Sequence, residues 1–481
     1  MKIFLTTLAI LTFLPGAANA ADKGSAPPNF IIIFTDDLGY GDLGCFGGKI
    51  ATPRIDQMAR EGMRFTSFYA QPICGPSRTA LLTGCYPMRV AEANNRKNTH
   101  PVLHSKEITI AEVLKTSGYA TGCFGKWDQA GHKQRGFNPD LMPNLQGFDY
   151  FYGTPSSNDR SVDLYRNEKL IEKETDLSTL TKRYTDEAID FIGKNQERPF
   201  FVYLPHTLLA ASKDFRGKSP RGLYGDVINE IDHSTGRILD ALQKMGLAES
   251  TYVIFTSDNG PWLSKNRGRK DGSRPEDHGG SAGPLRSGKV STWEGGTRIP
   301  AIFWAPGRID PATTCSSIAT TMDLLPTFAA LGGVDVPGDR KMDGEDISHL
   351  LQGKFDQATR DKTFFGYLTT ELQTVRQGSW KLHLPRVAGR KWQKFARNTH
   401  IAPLDNITPD KALLFNLDQD LGESKNVAAS HPEIVARLLE VANDARADIG
   451  DYNQIGSAQR FFDKGPRRPE SAKWIKQKQA R

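Results

Sequence analysis

Short apolar runs that end abruptly in polar clusters recur along the chain. Residues 29–34 stop at Thr35-Asp36-Asp37, and residues 251–255 stop at Thr256-Ser257-Asp258-Asn259-Gly260. Residues 200–204 run into Pro205-His206, and 119–124 into Gly125-Lys126-Trp127. The runs are continuous rather than alternating and rich in β-branched and aromatic residues, which predicts strands buried on both faces of a parallel sheet. Helical stretches over 55–61, 110–117, 184–194 and 224–242 separate them, so the fold class is α/β with a mostly parallel sheet covered by helices. In such sheets ligands gather beyond the carboxyl ends of the strands, where all four polar clusters fall. One pocket is therefore expected to collect them. Past about residue 350 the pattern changes to short extended pieces at 363–368, 374–384 and 413–417 and a helix over 432–446. These predict a smaller α+β subdomain with an antiparallel sheet.

The first twenty residues read differently. Lys2 supplies a charged start, 3–14 a short apolar core, and Ala18-Asn19-Ala20 a small-residue cleavage pattern, together a secretory signal. That core is too short to span a bilayer, and nothing downstream reaches the ~20 apolar residues a crossing needs. The expected organisation is a signal peptide at 1–20, a catalytic α/β domain at 21–350, a C-terminal α+β subdomain at 351–460 and a basic tail at 461–481. The expected destination is the periplasm or the exterior, without integral membrane association. Near-average Gly and Pro usage, 45 and 28 of 481 residues with no G-X-Y period, excludes collagen-like and low-complexity chains. The net charge of +7 suits an acidic partner: nucleic acid, anionic lipid or a polyanionic sugar. Five cysteines in an oxidising compartment leave at least one unpaired. Cys45, Cys85, Cys123 and Cys315 allow three full pairings.

Asp36, Asp37, Asp258 and Asn259 are hard oxygen ligands expected at one sheet edge, a set that suits Ca²⁺ or Mg²⁺ rather than a soft metal. Either acidic pair alone could equally be solvated turn residues or helix caps. Between them in sequence lies Cys74-Gly75-Pro76-Ser77-Arg78, followed by Thr79-Ala80-Leu81-Leu82-Thr83-Gly84. This C-x-P-x-R pattern running into a helix is too specific for a chance loop thiol.

Cys74-Gly75-Pro76-Ser77-Arg78 with Leu81-Leu82-Thr83-Gly84 resembles the signature of the type I sulfatases, members of the alkaline phosphatase superfamily. The resemblance extends through Asp36-Asp37-Leu38-Gly39-Tyr40-Gly41-Asp42, Gly125-Lys126-Trp127, Pro205-His206-Thr207 and Ser257-Asp258-Asn259-Gly260. It continues through 283–289, Trp293-Glu294-Gly295-Gly296-Thr297-Arg298 and Asn416-Leu417-Asp418. Residues 217–232 are similar to the arylsulfatase A and N-acetylgalactosamine-6-sulfatase branch. The resemblance implies an alkaline-phosphatase-like sheet and conversion of Cys74 to Cα-formylglycine by a dedicated maturation enzyme. It further implies a Ca²⁺ held by Asp36, Asp37, Asp258 and Asn259 and touched by residue 74, with Mg²⁺ the lesser fit. One hydroxyl of the aldehyde hydrate attacks sulfur and displaces the alcohol; the other then expels sulfate as the aldehyde re-forms. A serine would stop at a stable sulfate ester, which explains why a cysteine is spent. By the same resemblance Arg78 and Lys126 orient the hydrate, Lys289 and His206 bind sulfate oxygens, and His206 protonates the leaving alcohol.

One position departs from the family. Gly-Lys-Trp-His is usual, with the histidine helping to deprotonate the hydrate, whereas this chain has Gly125-Lys126-Trp127-Asp128. Either Asp128 is the base, or His132 reaches in, or activity is lost. His100, His104, His233, His278 and His383 read as surface or packing residues. The basic stretch 265–274 lies between the metal pair and Lys289, which suits the flanking sulfates of a sulfated polysaccharide or oligosaccharide; a loop that merely aids solubility is the plainer reading. A second basic stretch, 386–397, carries Trp392 and Phe395, which could stack a sugar. A secreted carbohydrate sulfatase is the leading expectation, with no nucleic-acid partner. The alternatives are a phosphoester hydrolase of the same superfamily, or an impaired protein that binds sulfated glycans.

Overall fold

The computed structural model describes residues 26–90, 103–131, 138–157, 162–207, 210–263, 279–355, 362–386 and 410–460. The expected leader, most of the two basic stretches, the basic tail, His100, His132 and His278 lie outside them.

Eleven strands form the larger sheet: β1 Asn29–Thr35, β2 Met63–Tyr69, β3 Ala120–Lys126, β4 Tyr150–Thr154, β5 Leu164–Arg166, β6 Lys169–Glu172, β7 Phe200–Pro205, β8 Thr251–Ser257, β9 Arg298–Trp304, β10 Thr313–Cys315 and β11 Ala319–Thr320. Their order is β10-β2-β9-β8-β1-β7-β3-β4-β5-β6, with β11 beside β2. The central four, β8-β1-β7-β3, are mutually parallel, while β9 runs antiparallel to both β2 and β8. Strand β1 shows why its pattern is continuous. Phe30, Ile32 and Phe34 enter the core on one face, and Ile31 and Ile33 enter the core on the other, all fully buried. Helices cover both faces: Pro53–Glu61 and Gly222–Lys244 pack on the Ile31 and Ile33 side, and Ile110–Lys115 on the other. Ile110–Lys115 starts on a capping box between Thr109 and Glu112, which satisfies two otherwise orphaned backbone donors.

A second sheet holds β12 Thr363–Leu368, β13 Glu371–Gln377, β14 Trp380–His383 and β15 Leu413–Asn416 in a simple antiparallel order. The extended piece expected at 374–384 is in fact parts of two strands. The chain reverses at Gly378, whose φ of +56° is a left-handed conformation open to glycine at little cost. Helix Pro432–Asp448 packs on this sheet, and its core is continuous with the first. Tyr69, Tyr86, Met88 and Met322 share one cluster with Phe364, Leu382 and Leu438.

Buried charges fasten the two units together. Glu294, fully buried, accepts from Tyr69 Oη at 2.6 Å, Arg298 at 3.2 Å and Lys381 Nζ at 2.9 Å. Lys381 also meets Glu423 at 3.1 Å, and Glu423 holds His383 Nε2 at 2.7 Å. His383, expected at the surface or in packing, is fully buried against the Trp293 ring at 4.0 Å and held neutral by burial, and it borders this interdomain ion network through Glu423. All five cysteines stand as separate thiols, so none of the three possible pairings of Cys45, Cys85, Cys123 and Cys315 is present. Among the described residues no helix is long and apolar enough to cross a membrane.

Removing one partner from a buried ion network leaves uncompensated charge and costs about 3–5 kcal/mol. Glu294→Ala should therefore lower the unfolding free energy by about that amount, read by chemical denaturation, whereas Lys182→Ala, which breaks an exposed i,i+4 pair with Asp186, should cost under ~1 kcal/mol.

Candidate functional site

The register of the central strands brings the polar clusters side by side. Thr35 pairs with Ser257 and Phe34 with Pro205, so Asp36-Asp37, Asp258-Asn259 and His206 leave the sheet at one level. Strand β3 adds Lys126 beside them. Gly125 permits that strand's close approach: its φ is +136°, and a Cβ would lie 2.0 Å from the Pro205 carbonyl oxygen, a position only glycine can take.

Cys74 opens helix Cys74–Thr83, all ten residues of which are buried. Pro76 falls in the first turn, where its missing N–H costs nothing, and Gly84 closes the helix at φ +64° with its N–H on the Ala80 carbonyl. The thiol lies 3.2 Å from Asp36 Oδ1 and 3.8 Å from Asp37 Oδ1. Lys289 Nζ reaches Cys74 Sγ at 2.9 Å and both Asp37 oxygens at 2.6 and 2.8 Å. Lys126 Nζ contacts both Asp36 oxygens at 3.0 and 3.1 Å. Arg78 donates to Asp258 Oδ2 at 2.8 Å and to the Lys126 carbonyl at 2.8 Å, with a longer reach to Asp36 at 3.4 Å. Three carboxylates thus face three cations.

This balance sets the proton affinities. Burial alone would raise Asp36, but Lys126, Lys289 and Arg78 override it and hold its carboxyl well below the usual range. Burial and then the Asp36 charge push Asp258 up to about 7 against Arg78. Burial, reinforced by Asp258 and Asp36, pushes the Cys74 thiol well above its ordinary value. The unmodified sulfur is therefore a protonated thiol at neutral pH, a poor nucleophile.

The donors fit a hard cation. Asp36, Asp37, Cys74 and Asp258 offer ligand atoms all within 4.8 Å of one another. Asn259 gives its amide N–H to Asp37 Oδ1 at 2.7 Å. Its own Oδ1 is buried without a hydrogen-bond partner among the described residues, an acceptor left over for a cation. Asp37 adopts φ +59°, a sparsely populated conformation for a non-glycine residue that clusters at functional sites.

Asp128 is buried, adopts φ +53°, and places Oδ2 3.7 Å from Lys126 Nζ. Its neighbour Gln129 was not singled out in the sequence. Gln129 is fully buried; it donates to the Gly75 carbonyl and the Asp128 carbonyl, both at 2.9 Å, and accepts from Thr79 Oγ1 at 2.6 Å and Leu103 N at 3.0 Å. It ties the Asp128 turn to the start of the Cys74 helix. It carried no sequence signal, since it stands in the mixed stretch Lys126-Trp127-Asp128-Gln129-Ala130-Gly131. Ser234, also missed, lies on helix Gly222–Lys244 with Oγ 3.1 Å from His206 Nε2. His206 is fully buried, its Nδ1 has no partner among the described residues, and burial pushes it down to about 3. The imidazole is therefore neutral at neutral pH, not the ready acid expected from an ordinary histidine. Asp42 accepts from Gly39 N at 2.7 Å, Tyr224 Oη at 2.6 Å and Ser281 N at 2.9 Å, and so braces the turn that carries Asp37.

The sulfatase family profile matches residues 28–334, and the profile for the C-terminal region of aryl-sulfatase matches 359–471. N-acetylgalactosamine-6-sulfatase of Mus musculus is 36% identical over 459 residues, which cover 86% of this chain and 84% of the relative. Arylsulfatase A of Homo sapiens is 35% identical over 470 residues, covering 88% and 90%. A solved structure from work on glycosaminoglycan metabolism by Bacteroides thetaiotaomicron superposes with TM-score 0.71 at 28% identity, covering 88% of this chain and 100% of that one. A chain solved with k-i-k-neocarrahexaose superposes with TM-score 0.68 at 26% identity, covering 87% and 92%.

The raised Asp258 makes a signed prediction. A cation needs the ionised carboxylate, so protons compete below about pH 7 and not above it. Calorimetric titration of metal-free protein with Ca²⁺ should show a constant affinity above that pH and a loss of about tenfold per unit below it for each proton displaced. Asn259→Ala should weaken binding at every pH.

Proposed function

Since this chain belongs to the sulfatase family and is thereby a sulfuric ester hydrolase, we propose that it is exported and removes O-sulfate groups from a sulfated polysaccharide or oligosaccharide, with residue 74 as nucleophile. The observation that carries the reading is the Cys74 side chain buried between Lys289 and Asp36, in a cluster rich in hard donors. The glycan-directed names of similar proteins and the basic balance of the chain support the substrate class. The leader-like pattern at 1–20 supports export to the periplasm or beyond.

The protonated thiol is a poor nucleophile, and the C-x-P-S-R sequence at 74–78 supports conversion of residue 74 by a formylglycine-generating maturation enzyme to the aldehyde, which hydrates to two hydroxyls on one carbon. A hard divalent cation, Ca²⁺ before Mg²⁺, would be held by Asp36, Asp37, Asp258 and Asn259, and when bound it acidifies a hydroxyl and offsets sulfate charge. Lys289 binds a sulfate oxygen from the open side of the site. Lys126 and Arg78 hold the carboxylates in place and orient the hydrate. One hydroxyl attacks sulfur and releases its proton to solvent at the open side of the site, and the ester oxygen leaves with its bonding pair. His206 begins neutral; negative charge from a bound sulfate favours its protonation, after which it delivers that proton to the leaving oxygen. Asp128 takes the proton of the second hydroxyl as the aldehyde re-forms and sulfate departs.

Protein from the native host should carry formylglycine at position 74 by peptide mass spectrometry and should release inorganic sulfate from at least one member of a sulfated saccharide panel. An intact thiol there, or release of phosphate rather than sulfate from matched esters, would overturn the reading. Asp128→Asn keeps the shape and removes the base. It should cut kcat by roughly 10²–10⁴ and accumulate sulfate on residue 74 as added peptide mass.

A further inference from the structure

Five of the seven charged side chains around Cys74 are closed off. Asp258 and Arg78 are fully buried, Lys126 and Asp128 are 1% exposed and Asp36 7%, while Lys289 is 13% exposed and Asp37 21%. The site therefore opens over Lys289 and Asp37, and a sulfate reaching Cys74 passes Lys289. Trp262 stands at that opening. The Lys289 ammonium lies 5.8 Å from its ring centre and 2.9 Å from Cys74 Sγ, so the ring centre lies within about 9 Å of the sulfur.

Trp262 is only partly buried, and its position is built rather than incidental. Ile73, directly before Cys74, Val290, directly after Lys289, and Leu368, at the tip of the β12–β13 hairpin, form the small cluster on which it rests. Its carbonyl accepts from Gly280 N at 3.2 Å, and the preceding Pro261 carbonyl accepts from Lys289 N at 2.9 Å. The indole N–H makes no hydrogen bond to the described residues and is open to a ligand acceptor. A packed, half-open aromatic face with a spare donor, next to the ammonium proposed to bind sulfate, matches a sulfated hexopyranose. The apolar C–H face of the sugar lies on the ring, the sulfate reaches Lys289, and a ring hydroxyl accepts from the indole.

Resting on the sulfated-glycan reading above, we infer that Trp262 is the sugar platform of this enzyme, held in place by the C-terminal subdomain through Leu368. The second sheet thus contributes to substrate choice without supplying a group that touches the sulfate.

Full-length Cys74→Ala protein loaded with Ca²⁺ binds without turnover and permits a direct test by calorimetry. The probes are inorganic sulfate and a set of hexose sulfates, N-acetylgalactosamine 6-sulfate among them. Adding Trp262→Leu should weaken the best hexose sulfate about 3- to 10-fold, the range for an aromatic contact, and leave inorganic sulfate unchanged. Trp262→Phe should restore most of the loss. An unchanged hexose-sulfate affinity, or equal weakening of both probes, overturns the platform while leaving the substrate class standing. If the parent binds inorganic sulfate but no hexose sulfate, the substrate class itself fails and the platform with it.

Discussion

Everything at the sheet edge depends on neutralising three carboxylates brought out of water together. Each such charge alone would cost several kcal/mol of desolvation. Asp36 stays ionised because Lys126, Lys289 and Arg78 surround it. Those cations come from β3, from the loop before β9 and from the Cys74 helix, segments far apart in sequence. The cluster can therefore exist only when sheet, helix and loop are all in register. The same arrangement traps a protonated thiol among the charges, which makes the unmodified cysteine a poor nucleophile.

Placement of the Lys289 loop is a long-range matter. Asn259 leads into Gly260, where a Cβ would sit 1.7 Å from the Gly295 carbonyl oxygen, so the metal-side strand end nests directly on the turn beside Glu294. Glu294 in turn pairs with Lys381 of the second sheet, and Arg286 lies 3.8 Å over the Trp293 ring. The C-terminal sheet consequently braces the loop that carries Lys289. A shared hydrophobic core and a buried ion network make the two units one mechanical body rather than a catalytic domain with an appendage.

The departure at Asp128 is accommodated locally. A carboxylate in place of an imidazole needs a neighbouring cation, supplied by Lys126 at 3.7 Å, and a fixed backbone, supplied by Gln129 on the Gly75 and Asp128 carbonyls. These contacts give the altered residue a built environment of the kind an acid–base group requires.

The pattern of apolar runs was sufficient for the architecture, because a strand buried on both faces must be continuously apolar and its polar terminus must fall at the sheet edge. Asp36, Asp258, His206 and Lys126 were legible for that reason, and Cys74-Gly75-Pro76-Ser77-Arg78 because the motif is compact and specific. The hairpin break at Gly378 was not, since a single glycine inside a β-rich run signals equally a bulge or a turn. Gln129, Ser234, Asp42 and Trp262 stayed hidden because their roles lie in contacts across the fold, and no local periodicity records which carbonyl or ring a side chain will meet. The proton affinity of His206 was likewise decided by tertiary structure: the sequence supplies an imidazole, but only burial lowers its pKa to about 3. What the chain determined by itself was which groups arrive at the sheet edge; what only packing decided was their charge, their spacing and the face left open to substrate, because desolvation and Coulomb energy depend on distances that sequence order does not contain.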